Sequence, residues 1–244
     1  MLLVKRGLKN KNLLWATKGF DPNSGGLLSS MVAEEIGAKT KTAVLSGPTF
    51  AEELAAGKPA AITLATKAID DSVLLAESMS NESLRVYLSS DPVGVQLGGG
   101  LKNIVAIAAG ISDGLEMGAN AKAALVTRGL DEISALGLLL GASEKTFMGL
   151  SGMGDVMLSS SDDKSRNRKL GLSIGGGLSF SEAVKLQSGT PEGAHAIKTL
   201  VENGGVKDKQ PVLYSVYQVL YSGIKPSNVA NELMRRPIKE EGLR

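Results

Sequence analysis

The chain contains no cysteine among its 244 residues. Disulfides, thiolate zinc sites, iron–sulfur clusters and a cysteine nucleophile are therefore excluded, and a reducing cytoplasm is the expected compartment. Histidine is nearly as scarce: His195, in "PEGAHAIKTL", stands alone. A Ser-His-Asp triad or a histidine metal cluster would have to pass through it, and it reads as ordinary helix surface or packing. Proton transfer then falls to lysine, aspartate or glutamate. An excess of one charge sign is also missing. The formal net charge is +2 with both signs interspersed, which gives no footing for nucleic acid or a membrane surface. No run reaches the roughly 20 apolar residues of a membrane span. The opening "MLLVKRGLKNKNLLWATKGF" lacks an uninterrupted apolar core with a small-residue cleavage site behind it, so it does not read as a signal peptide.

What is present is an ordinary globular composition, 43% apolar and 21% charged, on a chain long enough for two modest domains. Over the first ninety residues, strand and helix patterns alternate. "NLLWAT", "TAVLSGP", "AAITLAT" and "SLRVYLS" read as strands, and "GGLLSSMVAEEIG", "TFAEELAAG" and "DDSVLLAESMS" as helices. Such alternation predicts an α/β layer with a mostly parallel sheet. An apolar strand so close to the chain start suggests that earlier strands are missing. From Asp91 onward the strand signals stop. Helical patterns follow near 92–115, 120–140, 165–174, 179–187, 191–203, 211–222 and 225–235. The expected domains are thus 1–90, the C-terminal part of an α/β dinucleotide-binding domain, and 91–244, an all-helical substrate and dimerisation domain.

Several short stretches hold more polar or glycine residues than packing asks for. "GGGLKNIVAIAAG" puts Lys102 and Asn103 at the mouth of a helix that is apolar on every side, and such a helix is buried. Burying an ammonium costs several kcal/mol unless something pairs with it, so Lys102 either snorkels outward or serves as a base or anion-binding cation. "WATKGF" sets Lys18 after a strand, at the end where open α/β sheets bind ligands; a solvated lysine in a tight turn is the plainer reading. In "SGPTFAEE", Gly47 and Pro48 make a turn and Thr49 reads as the cap of a helix whose amides can hold an anion.

"GLSGMGDVMLSSSDDKSRNRKLG", 149–171, is so rich in glycine and serine that it offers little to a core. Within it "SRNRK" opens a helix. There Ser165, Arg166 and Asn167 either grip a phosphate or form a solvated charged end. Asp155 is the one acid of the glycine-rich part and can pair with a buried cation such as Lys102. Glu192, at a helix start, can simply complement the dipole. Arg128 and Glu132, four apart, read as a helix-surface pair, with Asn120 as the cap of that helix.

Taken in order, "ATKGF", "LSGPTFAEE", "GVQLGGGLKNIVAIAAGISDGLEMGANAKAALVTRGLDE", "FMGLSGMGDVMLSSSDDKSRNRKLG", "EG" and "YQVLYSG" resemble the bacterial NAD(P)-dependent sn-glycerol-3-phosphate dehydrogenase family. The resemblance is dense across 93–172. It implies a Rossmann-type layer followed by a helical domain of the 6-phosphogluconate dehydrogenase-like kind. It also implies interconversion of glycerol 3-phosphate and dihydroxyacetone phosphate with NAD or NADP, supplying glycerophospholipid synthesis in the cytoplasm. Carried over by position, Lys102 is the catalytic general base. Lys18, Gly47, Thr49, Asp155, Ser165, Arg166 and Asn167 complete the substrate site, while Lys18, Ala51, Arg166 and Glu192 contact the cofactor. A homodimer formed through the helical domain is the expected assembly, with no metal, nucleic acid or membrane span.

The family's first strand and its G-x-G-x-x-G turn have no counterpart before Lys18. The chain therefore reads as the family without its first βαβ units, short of most of the site for the cofactor's adenosine half. Two other readings compete. One is a non-catalytic phosphate-binding or interaction module derived from such an enzyme. The other is a hydroxy-acid or 6-phosphogluconate-type dehydrogenase with a different substrate.

Overall fold

The computed structural model describes residues 12–37, 40–187, 189–207, 209–238 and 240. Its described strands form one four-stranded sheet of order β1-β2-β3-β4: β1 (Leu13–Trp15), β2 (Thr42–Ser46), β3 (Ala60–Ala65) and β4 (Leu84–Ser89). Between them run α1 (Leu28–Ile36), α2 (Ala51–Ala55) and α3 (Ile69–Met79). β1 pairs parallel with β2, and β3 with β4. β2 and β3 are antiparallel. Element lengths explain the exception. At about 1.5 Å per residue the five residues of α2 rise only about 8 Å, while β2 spans roughly 16 Å. So short a helix cannot carry the chain back to the start of the sheet, and β3 returns in the opposite direction.

Alternation along the strands separates two apolar faces. Ala43, Ile62, Leu64 and Val86 pack with Ala76 of α3 on one face, whereas Val44 and Ala65 pack with Val95 on the other. Val95 belongs to α4 (Pro92–Gly114). Asp91 starts this helix by accepting from the Gly94 amide at 2.9 Å, and Pro92 supplies a first residue that needs no N–H partner. An 18-residue window of α4 has a mean hydropathy of 1.2 and is 94% buried, which marks a core helix, as its all-round apolar pattern predicts.

Helices continue as α5 (Gly118–Leu139), α6 (Glu144–Phe147), α7 (Asp155–Ser161), α8 (Arg166–Gly175), α9 (Phe180–Lys185), α10 (Glu192–Glu202), α11 (Pro211–Tyr221) and α12 (Pro226–Met234). A π-helical turn, Leu150–Gly154, runs straight into α7. The glycine- and serine-rich stretch expected to stay out of the core is therefore helical, with Ser151, Asp155, Val156, Ser159 and Ser160 buried. Its small residues allow close approach: a Cβ on Gly152 would overlap the Phe147 carbonyl. Asn120 lies inside the first turn of α5 and is not its cap.

The chain divides into two compact units, residues 1–100 with 137–158, and 101–136 with 159–244. Division by packing thus falls elsewhere than the change from alternating to helical pattern near residue 90. Segment 137–158 is tied into the first unit by Asp91, which accepts from the Ser143 amide at 2.8 Å and the Thr146 hydroxyl at 2.6 Å.

In the second unit Glu132 departs from the expected surface pair with Arg128. It is buried and accepts from the amides of Val212 and Leu213 at 2.8 and 3.0 Å, satisfying two otherwise unpaired donors at the start of α11. Burial pushes its carboxyl from 4.5 up to about 7, with the two amides and Arg236 acting in the opposite direction. A raised folded-state value means that the folded chain holds the proton more tightly than the unfolded chain. The resulting stability is complete below pH 4.5 and lost as pH rises through 7. Urea unfolding from pH 5 to 8 should therefore show a decline of roughly 2–3 kcal/mol from this group, flattened in Glu132→Gln.

Candidate active site

Parallel pairing of β1 and β2 places their carboxyl ends side by side, so the residues that follow them meet. Lys18, three residues past β1, donates from Nζ to Asp155 Oδ2 at 2.6 Å and lies 3.4 Å from the Gly47 carbonyl oxygen beyond β2. The Thr49 hydroxyl reaches the same carbonyl at 3.5 Å. Four residues named from the sequence, Lys18, Gly47, Thr49 and Asp155, thus come together in the first unit. The Asp155 side chain is fully buried and that of Lys18 is 19% exposed, so Lys18 is neither a solvated turn residue nor a free cation. It is the cation seen on Asp155, where the sequence had suggested Lys102.

Glycine makes this convergence sterically feasible. At φ 151° Gly47 passes β3 so closely that a Cβ would lie 3.0 Å from Ile62 Cα and 3.1 Å from the Ala61 carbonyl. At the neighbouring turn of α4, a side chain on Gly98 would strike the Ser151 carbonyl. One on Gly99 would press on the Ser46 hydroxyl and the Lys18 stem. Three glycines in a helix are costly locally, each by about 1 kcal/mol against alanine. Here they let the π turn, β2 and Lys18 approach the helix backbone.

Thr49 does not cap α2. Phe50 occupies the N-cap position without a side-chain bond, and Glu52 and Glu53 fill the first turn. With acids already complementing the dipole, this short helix offers no anion site. Ala51, its first residue, is exposed.

The second unit carries the other group. Lys102 and Asn103 are buried, with 7% and 6% of their surface exposed. Asn103 Nδ2 donates to Glu192 Oε2 at 3.3 Å, and the adjoining Gly193 amide donates to Asn167 Oδ1 at 3.0 Å. A Cβ on Gly193 would come within 2.7 Å of both the Asn103 carbonyl and Asn167 Oδ1. Three helices, α4, α8 and α10, are joined at this point. Ser165 caps α8, accepting from the Arg168 amide at 3.2 Å, while its O–H stays available as a donor. Arg166 is exposed and has no ion pair among the described residues. His195 is exposed on α10, as expected. The sequence reading missed Asn103 as a partner of Glu192 and missed Arg168. Asn103 was visible as a polar residue in an apolar helix, but its partner lies 89 positions away. No group of three or more metal-ligating side chains occurs among the described residues.

An α/β layer with polar groups at adjoining strand ends, followed by a helical unit that buries a lysine, defines the dinucleotide-dependent dehydrogenase class. Residues 3–71 match the family model described as the NAD-dependent glycerol-3-phosphate dehydrogenase N-terminus, and residues 91–231 match its C-terminus. The glycerol-3-phosphate dehydrogenase [NAD(P)+] of Nitrosococcus oceani is 47% identical over 230 residues, 94% of this chain and 67% of the relative. That of Haemophilus influenzae is 45% identical over 249 residues, 99% of this chain and 73% of the relative. The crystal structure of glycerol-3-phosphate dehydrogenase from Coxiella burnetii superposes with a TM-score of 0.90 at 37% identity, covering 96% of this chain and 72% of that one. The chain belongs to the NAD-dependent glycerol-3-phosphate dehydrogenase family.

Removing one partner of a buried pair strands the other. Asp155→Ala should lower the unfolding free energy by about 2 kcal/mol in urea titration, given that Lys18 keeps some solvent, and Asp155→Asn should lower it less.

Proposed function

We propose that the chain carries out the reaction in its relatives' names, interconverting sn-glycerol 3-phosphate and dihydroxyacetone phosphate with NAD or NADP. The observation that carries the substrate half of this reading is the start of α8. An exposed guanidinium without an ion pair, Arg166, stands beside a cap hydroxyl and the unpaired amides of a ten-residue helix. A dianionic phosphate is matched by such a fork plus amide and hydroxyl donors.

The residues present fit the nicotinamide-bearing end of the cofactor. Gly47 leaves its backbone bare at the end of β2, and the buried Ser46 hydroxyl beside it has no hydrogen-bond partner. Lys18, Ala51, Arg166 and Glu192 would hold the cofactor. When bound, the nicotinamide supplies the acceptor for a hydride. Lys102 Nζ takes the proton from the C2 hydroxyl as the C2–H bond breaks, and returns it in the reverse direction. Asp155 holds Lys18, and Lys18, Gly47 and Thr49 orient the substrate. Arg166, Asn167 and Ser165 fix the phosphate, so that C2 is held close to the hydride acceptor. Both reactants are too highly charged to cross a membrane unaided, which supports a cytoplasmic setting. Association into a homodimer through the helical residues belongs to the same reading.

Calorimetric titration of the purified chain with glycerol 3-phosphate should show binding that weakens at least about tenfold in Arg166→Ala. In an assay following oxidation of the reduced cofactor with dihydroxyacetone phosphate, Lys102→Ala should lose roughly 10²–10⁴-fold in kcat, with a smaller change in KM. Unchanged binding in Arg166→Ala would place the phosphate elsewhere.

A further inference from the structure

Two arginines stand two positions apart in the first turn of α8, and residues so spaced point about 200° apart around a helix. Arg166 faces outward without an ion pair. The Arg168 side chain is only 11% exposed. Its Nε and Nη2 donate to Asp113 Oδ2 at 3.0 and 2.6 Å, and its Nη1 binds Asp163. The other oxygen of Asp113 meets Lys122 Nζ of α5 at 3.0 Å. Asp113 sits in the last turn of α4, where an acid opposes the helix dipole. The position does nothing for α4 alone.

The two helices do not need this pair to be near each other. Gly110 and Gly114 of α4 face Gly171 and Gly175 of α8. A Cβ on any of the four would overlap a carbonyl of the opposite helix: Arg168 and Leu172 on one side, Ile107 and Ile111 on the other. A glycine-to-glycine face sets the distance between helices but is smooth, with no knob to fix rotation or axial position. A forked arginine on a carboxylate does fix both.

We propose that the Asp113–Arg168 pair is a positioning device. It locks the rotation and axial position of the first turn of α8, so that Arg166, Asn167 and the Ser165 hydroxyl stand as a preformed grip for the substrate phosphate. The inference rests on the phosphate reading given above. Asp113 and Arg168 touch no substrate; they act through Arg166 and its neighbours by removing the need to order that turn on binding.

The test is calorimetric titration of the full chain with glycerol 3-phosphate, for wild type, Asp113→Asn, Arg168→Lys, Arg166→Ala and the double variant Asp113→Asn/Arg166→Ala. Far-UV circular dichroism and the urea midpoint are recorded for each. The expected result is about five- to tenfold weaker binding in Asp113→Asn with unchanged dichroism. Arg168→Lys, which keeps the charge without the fork, should fall between it and wild type. The double variant should bind no worse than Arg166→Ala, because the pair acts only through that turn. Should Asp113→Asn fail to fold, Arg168→Lys carries the comparison. A lowered urea midpoint with wild-type affinity overturns the proposal and leaves the phosphate reading intact. Wild-type affinity in Arg166→Ala removes the phosphate reading and this inference together.

Discussion

How closely other segments approach the backbone of α4 is the constraint on which the structure turns. An apolar helix can be buried behind large side chains at about 8–10 Å from its neighbours. In this chain glycines allow contact at backbone distance instead. In the first unit Gly98 meets the Ser151 carbonyl, Gly99 meets Ser46 and Lys18, and Gly100 meets the Phe20 ring. In the second, Gly110 and Gly114 meet α8. Every polar group assigned a chemical role is held by an element that touches this helix or belongs to it. Close approach also has an electrostatic consequence, since carbonyls and ammonium groups brought so near leave little room for water between them.

The buried polar groups follow from that dryness. Glu132 accepts two amides, Asn167 accepts one, Asn103 donates to Glu192, and Asp155 holds Lys18. In each case a side chain of one element is satisfied by a different element distant in sequence. These bonds contribute perhaps 1–3 kcal/mol each against the cost of leaving a group unpaired. Their larger effect is to fix which helix turns lie together. By contrast Arg166 and Glu192 are exposed. The division between satisfied and available groups is the division between scaffold and site.

Much of the architecture could be read from sequence because period and punctuation decide it locally. The four strands, the long apolar helix after Pro92 and the helical run beyond it follow from alternation, apolar continuity and capping residues. What escaped depends on length or on distant contacts. The antiparallel β2–β3 pair comes from a helix too short to return the chain. Glu132 looked like a surface residue because its partners lie about 80 positions away, in the first turn of α11. Segment 149–161 was mistaken for a surface loop because small residues were read as poor packing material, although smallness is what lets it pack against backbone. Among the candidate site residues, Lys18, Gly47, Thr49 and Asp155 converge in one unit, and Asn167 meets the α10 start at Gly193 in the other. The partner of Asp155 and the loss of Thr49 as a cap could be seen only once the turns were in place.

The π-helical turn at Leu150–Gly154 has a consequence for how this segment tolerates change in length. A π turn is an α-helix that has absorbed one additional residue. Shortening it by one residue would restore regular winding and rotate everything after it by about 100°. Asp155 opens α7 directly after that turn, so its carboxylate would swing off Lys18, and the buried face formed by Val156, Ser159 and Ser160 would turn outward. The number of residues between Phe147 and Asp155 is therefore as much a part of the site as the identity of its side chains. Substitution by another small residue is compatible with the fold there in a way that a deletion is not.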